Sequence, residues 1–351
     1  MSDTASVPTR PRVRVPFWDT ARFACIVLVV MGHAIQRQTA DSDHALTLYL
    51  VIYSFHMPAF ALISGYFTKD ESPGARRMRR VITDLVLPYV IMQTVWSVVQ
   101  YLVEDVTVFN PTRPHWTLWF LLALAIFRMV LPYLALLRWP LLWAVTASVG
   151  VGYLANVDST FALSRTIGVL PFFVLGWKLQ SWRLVDRWHA LRPGIVWAVR
   201  AGAVAVLGGW IAVVAINIQA FREFDLRFWF FYDDSYTELG EPVWWAGLLR
   251  LGFILLAALL TAAFLALIPR RATPFTVLGQ ATMYVYLLHS FVLYPIRESG
   301  VLEDEHSSAI WLLAMMLAAV AISVVLALPW TRRVFRPVVE PKADWLFARR
   351  G

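Results

Sequence analysis

Long uninterrupted apolar blocks dominate this chain and leave few structures open to it. Stretches such as LRLGFILLAALLTAAFLALI (249–268) and AIWLLAMMLAAVAISVVLALP (309–329) are as long as the span a helix needs to cross a hydrocarbon core. That core is about 30 Å thick and takes roughly 20 apolar residues. Inside lipid every backbone N–H and C=O must find its partner within the protein, and these blocks are too long and continuous for barrel strands, so they are helices. Composition agrees: 59% of residues are hydrophobic and 15% charged, too little charge to cover a soluble surface. Ten spans are expected, at about 17–37, 47–67, 81–103, 116–137, 140–156, 165–181, 195–217, 243–268, 276–296 and 308–330.

The distribution of charge orients them. With the N-terminus cytoplasmic, one side receives Arg10, Arg12 and Arg14, the cluster Arg76, Arg77, Arg79 and Arg80, then Arg183, Arg187, Arg192, Arg270, Arg271, Arg332, Arg333 and Arg336. The other side receives acidic loops, among them Asp41, Asp43, Glu104, Asp105, Glu303, Asp304 and Glu305. Cytoplasmic loops carry the excess of Lys and Arg, so both termini are expected inside and the net charge of +8 needs no nucleic acid to explain it. No basic stripe interleaved with base-reading side chains accompanies it. The expected fold is therefore an all-α integral membrane protein of about ten transmembrane helices. Residues 1–15 form a cytoplasmic arm, 16–331 the membrane domain and 332–351 a basic cytoplasmic tail. The first apolar run lacks a small-residue cleavage site and is read as a retained span. A single cysteine, Cys25, excludes an internal disulfide and a cysteine-based zinc cluster, and no metal is expected.

Ionisable groups inside spans are costly and mark function by default. The first span carries Arg22 and His33, eleven positions apart, which at 100° per residue is about three turns plus 20°. They share one helix face, His33 lying about 16 Å deeper, and Asp19 stands at ion-pair spacing before Arg22. The second span holds His56, then Pro58, expected to kink the helix and free a carbonyl, and ends with Ser64, Gly65 and Tyr66. His289 lies deep in the ninth span, Trp119 opens the fourth and Arg165 the sixth. For each residue a structural reading stands beside the functional one: snorkelling for Arg22 with Asp19, lipid anchoring for Arg76–Arg80, close helix packing for Gly65, an aromatic belt for the tryptophans. The loop 218–242, rich in Trp, Phe and acids, reads as an interfacial belt or as a lid over an outer cavity. Three spans each bringing one histidine to their outer halves point to acid–base chemistry within the membrane, because imidazole alone titrates near neutrality unperturbed.

These residues together resemble the membrane acyltransferases of the acyltransferase 3 family, most closely the branch related to fucose 4-O-acetylases. The carriers, in order over about residues 17–330, are WDTAR with the histidine eleven beyond Arg22, FHMPAF followed by ISGYF, the arginine cluster, WTLWFLLAL, SRTIGVLPFFVLGW and GQATMYVYLLHSFVL. The resemblance implies acetyl-CoA as acyl donor and a hydroxyl acceptor on a sugar, glycolipid, polysaccharide or related metabolite, in the inner (cytoplasmic) membrane of a bacterium. It implies Arg22 and His33 as the catalytic signature, with Asp19 beside them, and donor handling by Arg76, Arg77, Arg79 and Arg80. Trp119 corresponds to the family's characteristic tryptophan. His56, Tyr66, Arg165 and His289 are the expected supporting residues, and direct transfer and a transient acetyl-His33 both remain open. The competing reading from residues alone is a proton-coupled secondary transporter, which would require inverted repeats and broken helices in matching halves. Neither is visible here.

Overall fold

The computed structural model describes residues 15–71, 74–107, 109–241, 243–299 and 308–347. The acidic run Glu303–Glu305, the arm arginines Arg10, Arg12 and Arg14, and Arg349 and Arg350 lie outside them. Among the described residues every regular element is a helix and no strand occurs. The helices are α1 (Pro16–Ile35), α2 (Asp43–Tyr53), α3 (His56–Tyr66), α4 (Ala75–Val81), α5 (Leu87–Glu104), α6 (Trp119–Leu134), α7 (Pro140–Val151) and α8 (Leu163–Ser181). They continue with α9 (Leu184–Ala190), α10 (Pro193–Ile216), α11 (Ile218–Glu223), α12 (Ala246–Leu267), α13 (Thr282–Glu298), α14 (Ala309–Ala327) and α15 (Pro329–Val339).

Among the described residues seven helical stretches are long and apolar enough to cross a membrane: 16–35, 43–66, 75–104, 160–181, 193–216, 246–267 and 309–327. Helices α6 and α7 are shorter apolar helices, and α13 has 17 residues. Each of the ten segments expected from sequence overlaps one of these helices, though only seven of the helices meet the length and hydropathy of a span. The final helix, α15, begins at Pro329, so the basic tail opens inside a helix rather than as loose chain.

Two local breaks shape the bundle. Between α2 and α3 the helix stops at Ser54 and Phe55, ahead of Pro58, which falls in the first turn of α3 where a missing N–H costs nothing. The expected interruption is thus displaced toward the N-terminus by several residues. Ser54 Oγ donates to the Val51 carbonyl at 2.7 Å and accepts the Trp210 indole N–H at 3.1 Å, while His56 Nδ1 donates to the Ile52 carbonyl at 2.9 Å. Between α4 and α5 the chain makes a π turn over Ile82–Val86. Pro88 cannot donate to the carbonyl four residues back, at Asp84, and a wider turn there relieves both the missing bond and the ring clash.

We call the end where α1 begins proximal and the end where it finishes distal. Thr20 Oγ1 meets Thr276 Oγ1 at 2.8 Å and Trp18 stacks on Tyr66 at the proximal end. Arg37 pairs with Glu298, and Arg222 with Asp43, at the distal end. Helix α1 is the central element, with buried residues around much of its circumference. Helix α10 is peripheral and buries only Val196, Ala203 and Val214 among its side chains, as expected of a helix facing lipid.

The motifs singled out in the sequence interlock in space. A Cβ on Gly65 would sit 1.9 Å from the Phe173 carbonyl oxygen, and one on Gly176 would sit 1.9 Å from that of Leu62. Helices α3 and α8 therefore touch backbone to backbone through reciprocal glycines, an approach no other residue permits.

Candidate active site

Two cavities adjoin Met57, one on either side, and it is the one residue that lines both. The distal cavity has a volume of about 230 Å³. Helix α1 brings His33 to its wall, α2 brings Tyr49 and Tyr53, α3 brings His56, and α8 brings Arg165. The remaining walls are Trp116 and Trp119 at the start of α6, and Phe230 and Phe231 from the loop between α11 and α12. Six elements converge on one space, and almost every wall is a ring or a hydrogen-bonding group.

His33 is held among rings. Its imidazole centroid lies 5.2 Å from Trp116 and 5.4 Å from His289, and its Nδ1 is 3.4 Å from the Tyr53 hydroxyl. His56 packs edge-on against the same tyrosine at 4.7 Å. Because a carbonyl only accepts, His56 carries its proton on Nδ1, leaving Nε2 as an acceptor. His289 is arranged likewise, with Nδ1 bonded to the Val285 carbonyl at 2.9 Å. It stands behind His33 rather than in the cavity wall, and its Nε2 is buried without a hydrogen-bond partner among the described residues. Trp116 reaches its place with φ of +37°, a left-handed conformation that is strained for an aromatic residue and accumulates at functional sites.

The loop between α11 and α12 closes over this cavity. Asp233 takes the Arg165 guanidinium on one carboxylate oxygen and the Ser164 hydroxyl on the other, the latter at 2.7 Å. Arg165 in turn lies 5.0 Å above the Trp119 ring and 5.9 Å from that of Phe231. The fully buried Arg250 of α12 donates to the Asp234 carbonyl at 3.0 Å and sits against the Tyr232 and Tyr236 rings. Burial, helped by Asp233 and Glu238 nearby, pushes the Asp234 carboxyl up from its ordinary value. The aromatic loop is thus anchored from below by two arginines, and its phenylalanines form part of the cavity itself.

The proximal cavity, about 200 Å³, is built differently. Arg22, Ser64, Asp84 and Arg128 give it polar walls, and Val29, Phe60, Ile63, Leu85, Phe120, Leu121, Leu124 and Met283 an apolar shaft. Tyr286 lines it as well, its hydroxyl bonded to the Thr117 carbonyl beside Trp116. Val29 belongs to this cavity and His33, one turn further along the same face of α1, to the distal one.

The structure separates the residues named from sequence into groups. His33, His56, Trp119 and Arg165 share the distal cavity, with His289 directly behind. Arg22 lines the proximal cavity, 3.5 Å from Asp19 and 4.3 Å above the Phe67 ring. Asp19 itself is buried where Gly279 of the GQATM motif abuts its carbonyl. Tyr66 lies at the proximal end against Trp18 at 4.2 Å, and lines neither cavity. In the arginine cluster, Arg77 is taken up by the Glu71, Lys69 and Arg128 carbonyls and Arg79 lies 4.9 Å from the Phe347 ring. Arg76 and Arg80 are exposed at the same end. Cys25 is buried, donates to the His56 carbonyl at 3.3 Å, and lines neither cavity. Among the described residues no group of His, Cys, Asp and Glu is placed to hold a metal. Tyr49, Tyr53, Gln36, Phe231 and Asp233 join the site without having been singled out from sequence.

A family model described as an acyltransferase domain matches residues 15–328. The nodulation protein NolL of Mesorhizobium japonicum is 26% identical over 235 residues, a match covering 62% of this chain and 57% of that protein. The chain therefore spans little more than half of that relative. No solved structure matches.

Proposed function

Because the chain belongs to the acyltransferase family whose model covers residues 15–328, we propose that it is a multi-pass membrane O-acyltransferase using an acyl-CoA, with acetyl-CoA the expected donor, and a hydroxyl acceptor such as a sugar, glycolipid or polysaccharide. The observation that carries this reading is the place of His33. It stands in the wall of a polar, ring-lined cavity and one helical turn from the end of an apolar shaft. One substrate enters from each end and the two meet at an imidazole. The basic loops gather at the proximal end, which supports that end as cytoplasmic, and the resemblance to the acyltransferase 3 family supports the inner membrane of a bacterium.

The chemistry follows from hydrogen-bond bookkeeping. With Nδ1–H donated to the Tyr53 oxygen, Nε2 of His33 is the free base, and the Tyr53 hydroxyl proton remains to be donated elsewhere. The acceptor hydroxyl gives its proton to His33 Nε2 as its oxygen attacks the thioester carbonyl. Tyr53 O–H stabilises the charge that grows on the carbonyl oxygen. When the carbon–sulfur bond breaks, the departing thiolate takes the proton back from His33, which restores the enzyme. A neutral His56, with Nδ1 committed to Ile52, can orient an acceptor hydroxyl by accepting from it but cannot serve the oxyanion. Trp119 and Trp116 offer the flat apolar faces on which a sugar ring stacks, and Arg22, paired with Asp19, holds the cytoplasmic side of the same helix face.

The decisive experiment uses purified protein in lipid nanodiscs. Saturable acetyl-CoA binding, together with transfer of labelled acetyl to glycolipid extracted from the source membrane, is expected of wild type. His33→Ala should bind acetyl-CoA and transfer nothing. Undiminished transfer by that variant would remove His33 from the mechanism, and absence of acetyl-CoA binding by folded wild type would remove the donor.

A further inference from the structure

Arginines within the bundle share a habit: each is answered by the protein. Arg22 has Asp19, Arg165 has Asp233, Arg250 has the Asp234 carbonyl, and Arg200 has the carbonyls of Ala266 and Ile268. Arg128 departs from it. It stands on α6, nine residues beyond Trp119, largely covered by its surroundings, and its guanidinium makes no hydrogen bond or ion pair among the described residues. Its own carbonyl is taken by Arg77, which brings a second guanidinium alongside. Across the cavity stands Arg22. The nearby carboxylate, Asp84, accepts the Thr83 hydroxyl at 2.7 Å and attracts Arg128 without hydrogen-bonding it.

A guanidinium that lines a cavity within the membrane, with a carboxylate nearby but no hydrogen bond to it, keeps its donors available to an anion from outside the protein. The location says what kind. Arg128 and Arg22 flank the cytoplasmic part of the proximal cavity, the apolar shaft runs on from them, and Met57 and Tyr286 close it toward the distal cavity. Along α1 the eleven residues from Arg22 to His33 correspond to about 16 Å of rise. Cation pair, apolar shaft and base follow one another in the order in which an acyl-CoA presents its diphosphate, its pantetheine arm and its thioester. Asp84 also has a reason to be there: the π turn that Pro88 requires puts it on this wall, and π turns of this kind recur at ligand sites.

We infer that Arg128 is a donor-binding residue whose guanidinium takes the diphosphate of the acyl-CoA at the mouth of the proximal cavity. The inference rests on the acyl-CoA reading above. It assigns the work of phosphate recognition to a residue outside the ARRMRR cluster. Arg77 organises that work through the Arg128 carbonyl, and Arg76 and Arg80 add only a general positive field. Phosphate could also come from a lipid headgroup, and the experiment separates the two sources.

Calorimetric binding would be measured with wild type, Arg128→Gln and Arg128→Lys in nanodiscs of zwitterionic lipid, using acetyl-CoA and S-acetylpantetheine, which lacks the diphosphate and nucleotide. Wild type should prefer acetyl-CoA, Arg128→Gln should lose about tenfold or more of its affinity for it, and Arg128→Lys should recover part. All three should bind S-acetylpantetheine alike. Unchanged acetyl-CoA binding by Arg128→Gln would overturn the assignment and leave Arg128 as a lipid-headgroup anchor. Equal losses for both ligands would also overturn it, since the variant would then have disturbed the shaft and not a phosphate contact. Failure of wild type to bind acetyl-CoA at all would refute the donor itself, a result distinct from either.

Discussion

The two cavities that meet at Met57 are of nearly equal volume and handle charge in opposite ways. In the distal one the charged side chain is answered internally: Arg165 by Asp233, with Trp119 and Phe231 enclosing the pair. Its surface offers rings and neutral hydrogen-bonding groups. In the proximal one Arg22 has Asp19, but the Arg128 guanidinium, with Asp84 nearby, makes no hydrogen bond or ion pair among the described residues, and most of the other walls are hydrocarbon. A paired charge in a ring-lined space suits a neutral, hydroxyl-rich ligand, whereas an open cation above an apolar shaft suits an amphiphile with an anionic head. On the proposed reading, this difference puts the acceptor in the distal cavity and the acyl donor in the proximal one.

Removing the group at the junction should have the largest effect. His33→Gln keeps bulk and a hydrogen-bonding amide but no base, and a positioned general base is worth roughly 10²- to 10⁴-fold in rate. Turnover should fall by that order while acetyl-CoA affinity, measured on the same preparation, stays within about twofold of wild type. A parallel loss of donor affinity would mean that the cavities are not functionally separate. Met57→Trp comes next, because it fills the only residue position common to both spaces. Misplacing reactants at their meeting point costs on the order of 10²-fold. Binding of S-acetylpantetheine, which must reach Met57, should weaken with it. Normal turnover in this variant would place the meeting point elsewhere.

How far the sequence could reach depends on the range over which each feature is encoded. The Arg22–His33 relation lies within one helix, and helical geometry alone determines it: shared face, about three turns apart. The membrane class and the ten helical segments are likewise local, since each apolar block reports its own length. Tyr66 shows the limit. It follows His56 by ten residues, which places it about 15 Å along the helix and some 80° away around it, so the two cannot share a cavity. The same arithmetic was open to a reader of the sequence. Tyr53, Asp233 and Arg128 are different: their significance comes from partners in other helices or from the lack of one, and nothing local announces it. Arg128 in particular stands inside the apolar run 116–137, where an arginine is itself a signal, but what could answer it lies on other elements.

The loop latch gives a smaller effect on the distal side alone. Asp233→Asn removes the charge that holds Arg165 and loosens one attachment of the aromatic loop, others being Arg250 and the Tyr236 hydroxyl on the Val149 carbonyl. A charge-assisted bond at a partly exposed site is worth about 1.5 kcal/mol, so KM for the acceptor should rise by about tenfold. Acetyl-CoA affinity should not move. Measured in one assay, the two constants sharpen the comparison, since a shift in donor affinity would show that the loop reports on both cavities.

Trp119→Phe should have the smallest effect and tests the finest part of the comparison. The substitution retains an apolar face toward the distal cavity and, through its neighbour Phe120, leaves the proximal wall untouched. It reduces the ring area under Arg165 and the area available to a stacked sugar. Aromatic stacking contributes about 0.5–1.5 kcal/mol beyond burial, and Phe keeps part of that, so acceptor KM should rise by roughly two- to fivefold with kcat unchanged. Trp119→Leu, of similar hydrophobicity but without a ring, should lose more. If Leu and Phe behaved alike, the tryptophan would be acting as apolar filler rather than as a stacking platform, and the distal cavity would have to recognise its ligand by hydrogen bonds alone.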